Sequence, residues 1–308
     1  MGKFTFGPVP SRRLGFSLGI DIIPRKICTF DCIYCQIGKT TNQEIKRKSF
    51  FNKHEIVEEI INKAKHISHI DYVTFSGSGE PTLNSDIGWM IEEIKKNIDI
   101  PVAVITNGSL LNDKEIRDNL CMADVVLPSL DAASEDIFRY INRPHSLIEL
   151  NTIIEGMKIF RDVYKGNIWL EIMLIKNVND SIEELGRLKN VIEYLGVEKV
   201  QLNTVIRPPA DRTTGRINSE ELNKISKYFG HGCEVICNFE KEVKKNDEND
   251  WSEMVLDILR RRSLTLNDIV KITGTPEHSV KSTLRAMETE RKIKRFHSED
   301  HVYYIIND

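Results

Sequence analysis

The chain has 308 residues, 40% of them apolar and 29% charged, which excludes a disordered chain and leaves room for one large catalytic domain with a small appendage. With 43 basic against 46 acidic side chains the formal charge is −3, so polyanions feel no global attraction and nucleic-acid contact needs local basic patches. No apolar run approaches a membrane span and the first residues lack the apolar core of a secretory signal, so the expectation is a soluble cytoplasmic protein with no membrane partner.

From residue 19 to about residue 203, short β-branched runs alternate with segments of helical period, the pattern of repeated strand-helix units with parallel strands. Strands are expected at 17–22, 72–76, 102–106, 124–128, 169–174 and 199–203. Leu147, Leu150, Ile153, Ile154 and Met157 recur at three- and four-residue spacing as the apolar stripe of a helix that covers the sheet. The fold class is therefore α/β, with a catalytic domain over 1–239 that closes on a further strand at 233–239. Residues 240–250 are charged without apolar period and read as a linker. Beyond it, Met254, Leu256, Ile258 and Leu259 belong to one helix, 266–272 form a second ended by Gly274, and 276–290 form a third that Thr275 can cap. Residues 292–306 alternate like a two-stranded ribbon, so 251–308 describe a winged helix-turn-helix.

Three of the six cysteines, Cys28, Cys32 and Cys35, lie within eight residues, which suits a metal site in a reducing compartment better than a disulfide framework. Their C-x3-C-x2-C spacing in a loop after the first strand lets three thiolates hold three irons of a cubane and leaves the fourth iron open. The alternative is a structural zinc site, which usually closes with four ligands in two separated pairs; the only other close pair, Cys233 and Cys237, lies far along the chain. That pair reads as buried free thiols on one strand face, and Cys121 as a core residue. Glu171 sits in an otherwise apolar strand, where an unpaired buried carboxylate is costly, so it is expected to face the lumen as a substrate or cofactor contact, or else to pair with a structural Lys or Arg.

Basic residues suggest an anionic substrate. Arg12 and Arg13 precede the first strand, Arg143 follows the fourth, and Arg207 and Arg212 sit in a proline-stiffened loop after the sixth; together they make a candidate substrate rim. In the C-terminal domain Lys281 and Arg285 lie one turn apart on the third helix, and Lys292 and Arg295 enter the wing, forming a candidate edge for a nucleic-acid phosphate backbone, which the family resemblance given below would make RNA, or, alternatively, a domain or dimer contact.

The cysteine spacing, with Tyr34 directly before the third cysteine, resembles the radical S-adenosylmethionine superfamily, and Ser78-Gly79-Glu80-Pro81-Thr82 is similar to that family's glycine-glutamate motif with Ser78 in place of the first glycine. The resemblance implies a partial (β/α)6 barrel, a [4Fe–4S] cluster on Cys28, Cys32 and Cys35, and S-adenosyl-L-methionine on the open iron. It further implies cofactor contacts at Tyr34, Gly79, Glu80, Asn107, Ser129, Asp131 and Asn203. The run from Phe6 through Gly38 is similar to a subgroup related to the tRNA wyosine-forming synthases, over roughly residues 4–240. By that likeness the reduced cluster cleaves the cofactor to methionine and a 5′-deoxyadenosyl radical that abstracts hydrogen from a tRNA base near the anticodon. Either wyosine-type carbon-carbon bond formation or C-methylation of a threonylcarbamoyladenosine-type base would follow, with flavodoxin or ferredoxin as electron donor. Two other readings are a glycyl-radical activase or peptide modifier and an Fe–S-sensing transcription regulator. A sensor needs no cofactor-sized barrel, so the complete strand-helix series argues against it.

Overall fold

A computed structural model describes residues 3–67, 69–236, 251–298 and 301–307; the expected linker at 240–250 and Cys237 lie outside the described residues. The chain opens with an antiparallel hairpin of β1 (Thr5–Ser11) and β2 (Gly15–Ile20). The two-residue strands β3 (Ile27–Cys28) and β4 (Asn42–Gln43) then pair in parallel and close the cysteine loop. Strand and helix next alternate as α1 (Lys53–Lys65), β5 (Tyr72–Phe75), α2 (Ile87–Asn97), β6 (Val102–Thr106), α3 (Lys114–Leu120), β7 (Val125–Pro128), α4 (Glu135–Asn142) and α5 (Leu150–Val163). The series ends with β8 (Asn167–Leu174), α6 (Ile182–Leu195), β9 (Lys199–Thr204), α7 (Ser219–Phe229) and β10 (Cys233–Val235).

One eight-stranded sheet runs in the order β1-β2-β5-β6-β7-β8-β9-β10, parallel throughout except for β1. The six expected strands are present with ends moved by two residues or fewer, and β10 adds a seventh parallel strand. Strand β1 was not anticipated, because Gly7, Pro8 and Pro10 read as breakers. It occupies a sheet edge and bulges between Phe6 and Val9, where missing ladder donors are tolerated.

The period-two alternation of the strands separates two faces. Leu18, Ile20, Val73, Phe75, Val102, Val104 and Val126 point outward into the core under the helices. Ser17, Gly19, Thr74, Ile105, Ser129, Glu171, Met173 and Asn203 line the inner cavities. Because Arg13 before β2 reaches Glu171 on β8, and Arg12 reaches Asn203 on β9, the sheet must curl so that its inner face encloses a lumen. Leu14, Ala103, Val125 and Leu127 form a small apolar cluster on that face.

Two local expectations are corrected. Leu150, Ile153, Ile154 and Met157 are buried, but Leu147 precedes the first turn of α5 and is 74% exposed, so it is not part of the stripe. Cys121 caps the C-terminus of the short helix α3 and is exposed rather than core.

The C-terminal residues fold as α8 (Trp251–Leu259), β11 (Leu264–Thr265), α9 (Leu266–Thr273), α10 (Glu277–Thr289), β12 (Ile293–Ser298) and β13 (His301–Ile306), with a three-stranded antiparallel sheet ordered β11-β13-β12. Thr265 and Asp268 form a reciprocal capping box at the start of α9, and Gly274 ends it in the left-handed conformation. Thr275 does not cap α10: Pro276 occupies that position and no side chain accepts from the first turn. This unit does not stand apart. Val255, Ile258, Leu264, Ile269 and Leu284 share one buried cluster with Phe6 and Val9 of β1, and Tyr303 donates its hydroxyl to the Ile206 carbonyl beyond β9. It thus spans from one edge of the sheet to the loop beside the other.

Phe6 also lies over Gly19, where a Cβ would come within 2.2 Å of the ring. Replacing Phe6 by Ala is expected to cost about 3 kcal/mol, the usual price of an emptied aromatic site, measured by denaturant unfolding, and to speed proteolytic release of the C-terminal unit.

Candidate active site

The cysteine loop is held from both sides. Asp31 N donates to the Asn142 and Arg143 carbonyls and Ile33 N to the Ile141 carbonyl, so the loop is stitched to the end of α4. Within it, Cys35 N donates to Cys32 O and Gly38 N to Cys35 O, and Thr40 N donates to the Asp31 carboxylate at 2.6 Å. The three cysteines are free thiols, partly exposed to the lumen.

Side-chain amides point at two of the sulfurs: Asn107 Nδ2 donates to Cys28 Sγ at 3.6 Å and Asn142 Nδ2 to Cys32 Sγ at 3.5 Å. Backbone N–H groups of Thr29 and Phe30 point at Cys28, and those of Ile37 and Gly38 at Cys35. Donors of this kind favour a charged sulfur. Burial works the other way, pushing Cys28 up to about 12, Cys32 well up and Cys35 up, with Glu80 adding to the rise at Cys28 and both Cys28 and Asp131 adding to it at Cys32. The donor set and the hydrogen bonds to sulfur fit a [4Fe–4S] cluster.

The turn after β5 lies against this loop. Lys26 N donates to Ser78 O, and a Cβ on Gly79 would fall 1.9 Å from the Ile27 carbonyl oxygen, so only glycine permits the approach. Glu80 is 2% exposed and accepts from Thr82 N, Thr82 Oγ1, Thr106 Oγ1 and Asn107 N. Burial raises its pKa against these four donors. Glu80 thereby fixes Asn107, which in turn holds Cys28 and donates to Thr29 Oγ1 at 2.6 Å.

Asp131 does not line the cavities described here. Its carboxylate accepts from Tyr34 Oη (2.6 Å), Asn142 Nδ2 (2.7 Å) and Met173 N (2.9 Å), and burial raises its pKa to about 6. Its expected cofactor contact is thus replaced by a supporting role beneath Tyr34.

Two joined chambers of about 260 and 240 Å³ occupy the lumen. Cys28, Gly79, Glu80 and Asn107 line the first, Tyr34, Cys35, Glu171 and Asn203 the second, and Cys32, Ser129, Arg13 and Arg207 both. Glu171 faces the lumen as expected, yet its carboxylate is engaged by Arg13 and by Asn203 Nδ2. Arg12 donates to Asn203 Oδ1 (3.1 Å) and Arg207 to Gln36 Oε1 (2.9 Å).

Other predicted residues go elsewhere. Arg143 ends α4 in the left-handed conformation and pairs with Asp211, and Arg212 lies over the Phe296 ring, so neither joins the rim. The expected RNA edge is largely neutralised: Lys281 pairs with Glu277, Lys292 with Glu290 and Arg295 with Glu288, because carboxylates stand within one helical turn or just before the wing. Among the described residues Arg285 alone of the four has no ion pair. Sequence reasoning gives no role to Asp21, Arg261 or Arg262; the two arginines close α8 and look like ordinary helix-end charges until the fold brings them to the first chamber.

Comparison with known proteins adds the following. A family model described as the radical SAM superfamily matches residues 22–188. The chain is 38% identical over 295 residues to a protein named GTPase Obg from Brachyspira hyodysenteriae, a match spanning 95% of this chain but only 43% of that one. It is 41% identical to a UPF0026 protein of Methanocaldococcus jannaschii, across 73% of this chain and 70% of the relative. Among solved structures, TYW1 with a lysine-pyruvate adduct bound shares the fold at a TM-score of 0.54 and 19% identity, over 74% of this chain and 76% of that one. A radical SAM methyltransferase from Sphaerobacter thermophilus does so at 0.53 and 19%, over 71% and 66%.

Asn107→Ala and Asn142→Ala each remove a donor from a sulfur that would ligate the cluster. Reconstituted variants are expected to keep their iron but to show a more negative cluster potential than the wild-type protein in a redox titration followed by electron paramagnetic resonance, since hydrogen bonds to sulfur stabilise the reduced, more negative state.

Proposed function

The chain belongs to the radical SAM superfamily, among the UPF0026 proteins, and from that membership we propose that it is an enzyme which generates a substrate radical on a tRNA base near the anticodon. Its cofactors are a [4Fe–4S] cluster and S-adenosylmethionine, and like the rest of the superfamily it needs a reductant; a flavodoxin or ferredoxin is the proposed donor. The observation that carries the reading is the three hydrogen-bonded thiols opening onto two joined chambers at the carboxyl ends of parallel strands.

When bound, the cluster and cofactor supply reductive cleavage to methionine and a 5′-deoxyadenosyl radical. The chain's own residues position and exclude. Cys28, Cys32 and Cys35 would hold the cluster, while Gly79, Glu80, Asn107, Ser129 and Asn203 shape the cofactor's bed. Asp131 acts through Tyr34 by accepting its hydroxyl. The Arg13–Glu171–Asn203–Arg12 chain stiffens the far wall, and its positive excess suits a nucleotide.

The proposed outcome is either wyosine-type carbon-carbon bond formation or C-methylation of a threonylcarbamoyladenosine-type base. The GTPase activity named for the Brachyspira relative is not carried over. Gly38-Lys39-Thr40 would need a glycine five residues before Gly38 to make a phosphate loop, and Ile33 stands there.

The C-terminal unit, with its three helices and three-stranded sheet, is proposed to be a winged helix-turn-helix, and residues 1–239 the catalytic domain. No helix among the described residues is long and apolar enough to cross a membrane. Reconstituted protein with dithionite and S-adenosylmethionine is expected to release 5′-deoxyadenosine, and the Cys28→Ala, Cys32→Ala, Cys35→Ala triple variant none. Mass spectrometry of tRNA nucleosides from a deletion strain is expected to show one missing or shortened modification; an unchanged nucleoside profile would turn the substrate reading to a peptide or a small molecule.

A further inference from the structure

A third cavity, of about 200 Å³, lies between the barrel and the C-terminal unit. Its walls include Arg12, Arg207 and Arg262, and among the described residues the one carboxylate that lines it is Asp268. Asp268 is already committed to the capping box of α9, accepting from Thr265 N at 3.0 Å. The cavity is not isolated: Arg12 also lines the second lumen chamber, Arg262 the first, and Arg207 both. It is therefore an antechamber whose inner wall is the reaction chamber's arginines.

None of the three arginines makes a close ion pair among the described residues, although Asp268 acts on Arg207 and Arg262 and Glu171 on Arg12 from farther away. Arg12 and Arg207 donate to the neutral side-chain oxygens of Asn203 and Gln36, and the buried Nε of Arg262 has no acceptor. Burial lowers the pKa of all three, and their mutual proximity adds to it: Arg207 and Arg13 lower Arg12 further, to about 9, and Arg207, Arg12 and Arg13 lower Arg262. Gathering like charges in a partly desolvated site is unfavourable unless an anion joins them. Guanidinium forks, which stay charged and present paired donors, match phosphate oxygens.

We propose that Arg12, Arg207 and Arg262 form a phosphate-binding site, completed by the C-terminal unit, that holds a phosphate of the substrate beside the reaction chamber. The C-terminal unit is then a wall of the active site. Its placement is fixed independently by Arg261, which pairs with Asp21 at 3.2 Å and lies over the Phe6 ring. The proposal rests on the lumen being the reaction chamber, but its test needs no turnover.

Inorganic phosphate is titrated into cluster-reconstituted, full-length protein at constant ionic strength, with chloride as the balancing anion, and the melting temperature is followed. A saturable rise is expected. Arg262→Gln and Arg207→Gln should each raise the half-saturating phosphate concentration about tenfold, the loss of one charge-assisted hydrogen bond. Arg139→Gln, an exposed position on α4, should leave it unchanged. Arg262→Lys, which keeps the charge and guards against a folding defect, should weaken binding less than Arg262→Gln. Phosphate should still bind when S-adenosylmethionine is saturating, which separates the site from one for the cofactor's carboxylate. Competition by uridine 5′-monophosphate would mark a phosphomonoester substrate, and competition by the dinucleotide UpU an RNA phosphodiester. No saturable rise, equal half-saturation in wild type and Arg262→Gln, exclusion by the cofactor, or competition by neither nucleotide would each overturn the proposal. Loss of 5′-deoxyadenosine formation with phosphate binding intact would instead count against the radical reading alone.

Discussion

The carboxylate of Asp21 is the constraint on which the site depends. It is 8% exposed, accepts from Ser78 N at 3.1 Å and Ser78 Oγ at 2.5 Å, and takes Arg261 Nε at 3.2 Å. Gly77, at φ +132°, leaves room for it, since a Cβ there would fall 2.6 Å from the carboxylate carbon. A buried carboxylate deprived of its cation typically costs about 3–5 kcal/mol, so this pair sets the position of whatever it touches. It touches the turn after β5, and contact then runs onward through Gly79 against Ile27, Glu80 to Asn107, and Asn107 to Cys28. In the other direction it anchors the end of α8. The cysteine loop, the turn after β5 and the end of α8 thus meet at one carboxylate. Ser78, which departs from the glycine of the motif it resembles, supplies two of the donors.

Much of the chemistry was legible because it is local. The cysteine spacing and the inward Glu171 follow from short-range pattern and the alternation of strand faces, the strand-end residues Gly79, Glu80, Asn107, Ser129 and Asn203 come from the family resemblance, and the fold gathers them around one lumen. Destinations that depend on tertiary partners were not legible. Arg143 and Arg212 sit in loops of the expected kind, yet Asp211 and the Phe296 ring take their guanidiniums away from the lumen. Lys281 and Arg295 look basic in sequence and are balanced by Glu277 and Glu288. Asp21 reads as the polar end of a strand, and Arg261 as a helix-end charge; only their meeting across the chain gives either a role. Strand β1 was hidden by its prolines, which an edge strand accommodates.

These misses share a direction. A chain read as a barrel with a separate docking arm is instead one in which the arm's hydrophobic core includes Phe6 and Val9 of the barrel's hairpin, while its arginines face the barrel's chamber. A half-closed parallel sheet leaves its lumen open at the side; covering that side with a packed unit excludes water, strengthens the electrostatic interactions inside and adds cationic groups in the same step. The mild charge of the outer surface and the strong charge of the inner one are then consistent, since recognition is concentrated where dielectric screening is weakest.

Deuterium uptake of the reconstituted protein with and without S-adenosylmethionine tests this coupling most directly. If Asp21 joins the cofactor bed to the C-terminal wall, the cofactor will slow exchange at residues 76–80 and, together with them, at residues 259–262 at the end of α8, and Arg261→Gln will abolish the second effect while sparing the first. Protection confined to residues 76–80 in the wild-type protein would show that the C-terminal unit stands apart from the site and would contradict its role as a wall.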